Sequence, residues 1–233
     1  MTVQNSIAAP VQQKAELKCT FKAGNEEVTL TPKYVKSYLA TGKTEKVTEQ
    51  DIVMFINLCK YQHLNPFLRE AYLIKYDASE PARMVVGKSA LEARADRDER
   101  FRGCDSGIVV QKSDKTLEYR KGTLVLPDET LVGGWAEVFV EGYRNTVYTT
   151  VSLSEYNSNQ SVWKSKPATM IRKVAKMQAL REAFPNSLSG MYTLDEYGGS
   201  EDDLPHQPIE QPQQEVVVEV KAEPEILDGS DLL

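Results

Sequence analysis

Between Gly107 and Ser152 one β pattern follows another: GIVVQ, TLEYR, GTLVL, GGWAEVFV and TVYTTVS, separated by turns of Gly, Asp and Asn. Apolar and β-branched residues at alternate positions suit a pleated strand with a covered face. The links between these runs are a few residues long, whereas parallel neighbours need a crossover of a dozen residues or more. An antiparallel meander is therefore expected. Its apolar face needs a cover, and helical patterns on both sides of it in sequence can supply one.

Upstream, Glu27–Leu30 suggests a strand. TPKYVKSYLATG reads as a short helix with Thr31 as N-cap, Pro32 in the first turn and Gly42 as stop. A longer helix starts at Thr48, where Thr48 and Asp51 have the spacing of a capping box and Ile52, Phe55, Ile56 and Cys59 repeat at helical intervals. It must end before Pro66, because the residue preceding proline avoids helical geometry. EAYLIKY and ARMVVG flank a polar loop and read as a hairpin, and KSALEARADRDER as a charged helix. The fold class expected is α+β: an antiparallel hairpin and meander packed with helices.

The last helical pattern, WKSKPATMIRKVAKMQALREAF from Trp163 to Phe184, gathers Lys164, Lys166, Arg172, Lys173, Lys176 and Arg181 against one acid, Glu182. At 100° per residue, Met170, Val174, Met177, Leu180 and Phe184 make an apolar face suited to the sheet. Arg172 and Lys176 fall on a second face beside Ala179 and Ala183, where a polyanion could approach the backbone closely. Lys164 and Lys166 extend the charge past the helix N-terminus, whose free N–H groups also favour anions. A merely solvated basic face is the plain alternative. Arg181 falls inside the apolar stripe. A guanidinium is rarely buried alone, so either an internal carboxylate pairs with it or that edge of the helix lines a groove that receives an anion.

Charge is unevenly distributed. Residues 201–233 hold ten acids and one base, a net −9, while residues 1–200 hold 27 bases and 24 acids, a net +3. A mildly basic body thus carries an acidic tail rich in Pro, Gln and Glu, and that composition predicts disorder. Three segments are expected: a flexible arm over 1–24, a core over 25–199 and a disordered tail over 200–233. The tail could compete with a polyanion, dock on a partner through its Leu232-Leu233 end, or simply confer solubility. The N-terminus lacks the basic-then-apolar pattern of a signal peptide, and no apolar run reaches the length of a bilayer span, so a cytoplasmic protein is expected. Cys19, Cys59 and Cys104 are scattered and the histidines are only His63 and His206, which argues against a zinc site or a disulfide framework. There is neither a GxxxxGK[ST] loop nor a GxGxxG, so no nucleotide cofactor is expected and the chain is not read as an enzyme.

Aromatics are numerous in this mildly basic body, a combination used by single-strand binders. Tyr72 and Tyr76 fall on one side of a strand pattern, and Tyr148 lies in another. Trp163 borders a polar loop beside Lys164, whereas Trp135 follows Gly133-Gly134 in an apolar strand and reads as core.

QHLNPFLREAYLIKY, MVVGKSALEARADRDERFRG, GGWAEVFV, SLSEY, VWKSKPATMIRKVAKMQALREAFP and GMYTLDE, in this order over roughly 45–197, together resemble the RecT/Redβ (Bet) family of phage single-strand DNA annealing proteins. The resemblance implies an ATP-independent protein that coats single-stranded DNA as a ring or helical filament and pairs it with a complementary strand. It acts beside a phage 5′→3′ exonuclease, with host single-strand-binding protein as a further possible contact. The nascent duplex would lie in a positive groove. By the same resemblance Arg181, Arg69, Arg172 and Lys173 are expected at DNA, with Lys43 (or Lys46) and Arg144 as weaker carry-overs. Tyr72, Trp163, Lys164, Lys166 and Lys176 complete the candidate set. The sequence departs from lambda's member just after the helix-start proline, where Ala168 and Thr169 stand in place of bases. A duplex-binding architectural protein is the alternative reading.

Overall fold

The computed structural model describes residues 18–200, 204–205 and 207–210. The first element lies inside the expected flexible arm. Strand β1 (Cys19–Ala23) pairs antiparallel with β2 (Glu26–Leu30) around a turn at Gly24, whose φ of 59° suits a residue without Cβ. Phe21 and Ala23 alternate inward with Val28 and Leu30 and join the core, so residues 19–24 belong to the folded body and not to an arm. The rest of that arm lies outside the described residues.

The short helix after Thr31 begins as expected, with Thr31 Oγ1 accepting from the Tyr34 amide, but α1 spans only Pro32–Tyr34. The chain widens into a π-type turn over Val35–Leu39 and then becomes strand β3 (Ala40–Gly42). β3 pairs parallel with β4 (Ala71–Lys75), which pairs antiparallel with β5 (Arg83–Val86). The hairpin was legible, but the parallel edge strand was not. Helix α2 (Glu49–Tyr61) carries the expected capping box: Thr48 Oγ1 accepts from the Asp51 amide at 3.1 Å, and Asp51 Oδ2 accepts from the Thr48 amide at 3.0 Å. Asp51 also accepts from Lys75 Nζ and from the Ala82 amide, both at 3.0 Å, and so locks α2 to the hairpin.

After α3 (Lys88–Asp96) comes a four-stranded antiparallel sheet in the order β7-β6-β8-β9, built from β6 (Phe101–Gln111), β7 (Leu117–Lys121), β8 (Thr130–Val140) and β9 (Val147–Ser152). GTLVL is a loop rather than a fifth strand. Glu129 folds it back, accepting from the Leu126 amide and pairing with Arg120. Helices α4 (Leu153–Tyr156) and α5 (Ser161–Ser165) lead into α6 (Pro167–Ala183), followed by α7 (Pro185–Leu188).

Helix α6 crosses the sheet most closely at Gly134, where an added Cβ would stand 2.5 Å from the Ile171 carbonyl oxygen. That glycine lets helix and strand backbones touch. The helix is enclosed on more sides than a two-faced wheel allows: Ala175, Ala179 and Ala183 are fully buried along with the apolar stripe. The expected open path for a polyanion beside Ala179 and Ala183 is therefore closed. The expected tail also begins later than position 200. Ser200 is buried, Leu204 packs on Tyr72, Ile74, Val85 and Leu194, and the Ile209 amide donates to the Phe67 carbonyl at 2.8 Å. The remainder of the tail lies outside the described residues.

Candidate nucleic-acid interface

Two guanidinium groups and three tyrosines form a row on the surface. Tyr76 directly follows β4 and Arg83 opens β5, so the hairpin register brings them together. The Arg83 guanidinium carbon lies 5.0 Å from the Tyr76 ring centre and 5.7 Å from that of Tyr197. Tyr197 ends a 3-10 turn, Leu194–Tyr197, and its ring centre is 6.2 Å from that of Tyr192. Tyr192 in turn lies under Arg181, with 4.5 Å between guanidinium carbon and ring centre. The Tyr192 carbonyl accepts from the Val86 amide at 2.8 Å, which fixes the second half of the row to the hairpin carrying the first. Tyr76, Tyr192 and Tyr197 remain 44–48% exposed, enough to offer ring area to a ligand. At the Arg181 end the row opens into a cleft of about 550 Å³ whose lining includes Tyr156, Gln178 and Glu182.

Arg181 has an internal carboxylate partner. Glu196 receives both of its terminal nitrogens, one at 2.7 Å, and the two side chains are only 12% and 8% exposed. Glu196 is held from behind by the Thr193 amide at 2.9 Å and the Thr193 hydroxyl at 3.1 Å. The motif GMYTLDE is thus a capped turn that presents one carboxylate to the last turn of α6. Arg181 brings its planar cation to the row with its charge already matched, whereas Arg83 has no ion pair among the described residues. An arginine stacked on tyrosines is attracted by the ring faces and leaves a further face for a base.

The sequence-based candidates disperse around this row. Lys43 stands near the Tyr76 end, paired with Asp77 at 2.9 Å. Hydrogen bonding to Asp77 raises its pKa, and both partners are solvent-exposed, so the pair is exchangeable. Lys164 and Lys166 are exposed before α6, and Arg144 is exposed in the β8–β9 turn, none with an ion pair among the described residues. The other bases of α6 are engaged: Arg172 Nε donates to Ser106 Oγ at 3.0 Å, Lys176 bonds Glu92 at 2.6 Å, and Lys173 lies 3.8 Å from the buried Asp195 carboxylate. Arg69 occupies a left-handed conformation at φ 63° and donates from Nε to the Gln207 carbonyl at 3.1 Å.

Two expected stacking residues offer no open ring face here. Tyr72 is 3% exposed inside β4. Trp163 is 1% exposed, and its indole N–H donates to the Gly199 carbonyl at 2.8 Å. Trp135, expected in the core, is buried instead on the far side of the sheet, stacked beneath Tyr148. Sequence reasoning overlooked Arg83, Tyr192 and Tyr197. Their only local signal was two tyrosines five apart in a turn, and turns carry no periodicity.

Among the described residues no helix is long and apolar enough to cross a membrane, and no group of three or more His, Cys, Asp or Glu is placed to hold a metal ion. The profile of the RecT family matches residues 25–209. The chain is also similar to an uncharacterized protein of Ureaplasma parvum serovar 3, UU154, with 32% identity over 126 residues, 54% of this chain and 50% of that protein. The chain spans about half the length of this curated relative. The match over 25–209 takes in the three-stranded and the four-stranded sheet, α6 and the arginine–tyrosine row, and on it the chain belongs to the RecT family.

Proposed function

We propose that this protein is an ATP-independent single-strand annealing protein of phage-type recombination, acting by binding rather than by catalysis. The observation that carries this reading is the row Tyr76–Arg83–Tyr197–Tyr192–Arg181. Stacking on aromatic side chains contributes about 1–3 kcal/mol per base and tolerates any sequence, because every base has a π-face. Exposed cations, Lys164, Lys166, Arg144 and the exchangeable Lys43, would meet phosphates and release counterions, so affinity falls steeply with salt. A strand held along the row keeps base edges available to a second strand. Correct pairing then adds roughly 1.4 kcal/mol per step, which a mismatch forfeits.

The modest body charge implies weak binding by one copy. Strength then comes from repetition along a homo-oligomer, each copy adding a few contacts to one strand. A cytoplasmic setting, a phage exonuclease and host single-strand-binding protein belong to the same reading. The test is annealing of complementary labelled oligonucleotides without nucleotide cofactor, across a salt series, with wild type and an Arg83→Gln/Tyr197→Leu variant. Annealing that weakens with salt and drops at least tenfold in the variant supports the proposal. Stronger binding to preformed duplex than to either single strand would favour an architectural duplex binder and overturn it.

A further inference from the structure

The cleft at the Arg181 end of the row has a chemistry of its own. Gln178, Arg181 and Glu182 stand at i, i+3 and i+4 on α6, so they share one face of the helix. Tyr156, at the end of α4, joins their lining, and Tyr192 and Tyr197 are shared with the row. The cleft holds about 550 Å³, inside the ~300–1,000 Å³ span of small-ligand pockets.

Charge decides what enters. Three charged side chains line the cleft: Arg181, Glu196 and Glu182. Glu196 already neutralises Arg181. Glu182 Oε2 accepts from the Thr149 hydroxyl at 2.9 Å, and this carboxylate has no ion pair among the described residues. The uncompensated charge in the cleft is therefore negative, and a phosphate is repelled. Gln178 adds an amide whose Oε1 is buried and accepts no hydrogen bond among the described residues. A buried acceptor left unmade is costly. Half a turn about the last side-chain bond exchanges that oxygen with the amide nitrogen, so Gln178 has both an acceptor and donors to give a ligand. A carboxylate, an amide and tyrosine rings suit a flat, neutral molecule that carries N–H donors. A nucleobase with an exocyclic amine is such a molecule.

Continuity with the row identifies where that base comes from. Arg181 and Tyr192 face the cleft and end the row, so a base splayed from a strand stacked there reaches the cleft without a gap. We propose that the cleft takes one unpaired, amine-bearing base of the strand lying along the row, with Glu182 accepting from the amine and Gln178 bonding the same edge. The proposal rests on the annealing reading above and adds a base preference that stacking alone does not give. Cytosine shows the logic: its N4 amine donates where thymine has the O4 acceptor, and an acceptor facing a carboxylate is repelled. That amine lies on the pairing edge. The cleft therefore holds a base only while it is unpaired, and annealing empties it.

The test is equilibrium binding of the full chain to labelled oligo(dC) and oligo(dT) of equal length, at mildly alkaline pH, where cytosine strands stay unfolded. Wild type is expected to favour oligo(dC) about fivefold, the low end of what one edge contact discriminates. Glu182→Gln keeps an acceptor for Thr149 and gives thymine O4 a donor, so the preference should fall to parity. Gln178→Leu, similar in size, should lower it as well. Circular dichroism melts check folding, and if one variant melts early the other carries the comparison. Equal affinity of wild type for both strands overturns the base site and leaves the annealing reading standing, whereas binding to neither strand overturns both. A preference that survives in the folded variants also overturns the site, because it then arises elsewhere. Deoxycytidine alone tests the source of the base. If it binds wild type and not Glu182→Gln while the two strands bind equally, the cleft serves a free nucleoside and the assignment to the strand fails.

Discussion

Removing Glu196 tests how the final helix is held. In the wild type its carboxylate takes both terminal nitrogens of Arg181 and two hydrogen bonds from Thr193, with little water present. Glu196→Ala would strand the guanidinium between Tyr192 and the Met191 carbonyl. Breaking a buried pair by deleting one partner costs about 3–5 kcal/mol, and the slight exposure of these groups puts the expected value near the lower end, about 3 kcal/mol. For a chain of this size that is a fall in Tm of roughly 6–12 °C. Replacing the pair together, Arg181→Met with Glu196→Leu, should restore most of the loss, because well-packed apolar groups can replace a buried pair at little cost. Only the unsatisfied Thr193 groups would remain, worth about 1–2 kcal/mol. Thermal unfolding of the single and double variants at neutral pH measures this. A Glu196→Ala melt within a degree of wild type, or a double variant that loses as much as the two single variants added together, would refute the reasoning.

Four further outcomes are expected. Gly134→Ala drives a methyl toward the Ile171 carbonyl oxygen, so it should cost about 1–3 kcal/mol, read as a lowered denaturant midpoint. Lys164→Gln/Lys166→Gln touches no ion pair among the described residues, so Tm should stay put while the slope of log affinity against log salt for single strands becomes shallower by about 1.4. Trp163→Phe forfeits the bond to the Gly199 carbonyl and should lower stability by about 1 kcal/mol, with oligonucleotide affinity unchanged in the folded protein. Burial pushes the Asp51 carboxyl up, but hydrogen bonds from Thr48, Ala82 and Lys75 outweigh it and hold its pKa at about 2. The folded value lies below the unfolded one, so this stabilisation is present above pH 4 and is lost as pH falls toward 2. The drop in Tm over that window should be shallower in Asp51→Asn.

Strong local chemistry made much of the fold legible. The Thr48 capping box, the β4–β5 hairpin and the start of α6 at Pro167 each depend on residues close in sequence, and each forms as expected. What stayed hidden depends on distant partners. β3 is three residues long and exists because β4 offers it a parallel edge. β1 falls inside the stretch expected as a flexible arm, although Phe21 and Ala23 alternate correctly. The helical wheel found the apolar stripe of α6 but treated every other face as solvent. Glu92 from α3, Ser106 from β6 and Glu196 from the terminal turn take up three of its bases. The Arg181 dilemma was posed correctly, and its partner came from fifteen residues downstream. The arginine–tyrosine row escaped notice because it joins a hairpin, a turn and a helix end, and no single segment displays it.

The central claim is that single-stranded DNA lies along that row. Photocrosslinking an oligonucleotide containing 5-iodouracil, followed by peptide mapping of the adducts, tests it most directly. The account expects adducts at Tyr76, Tyr192 or Tyr197 that disappear at high salt. Efficient crosslinking with every adduct elsewhere, and none of these three tyrosines modified, would contradict it.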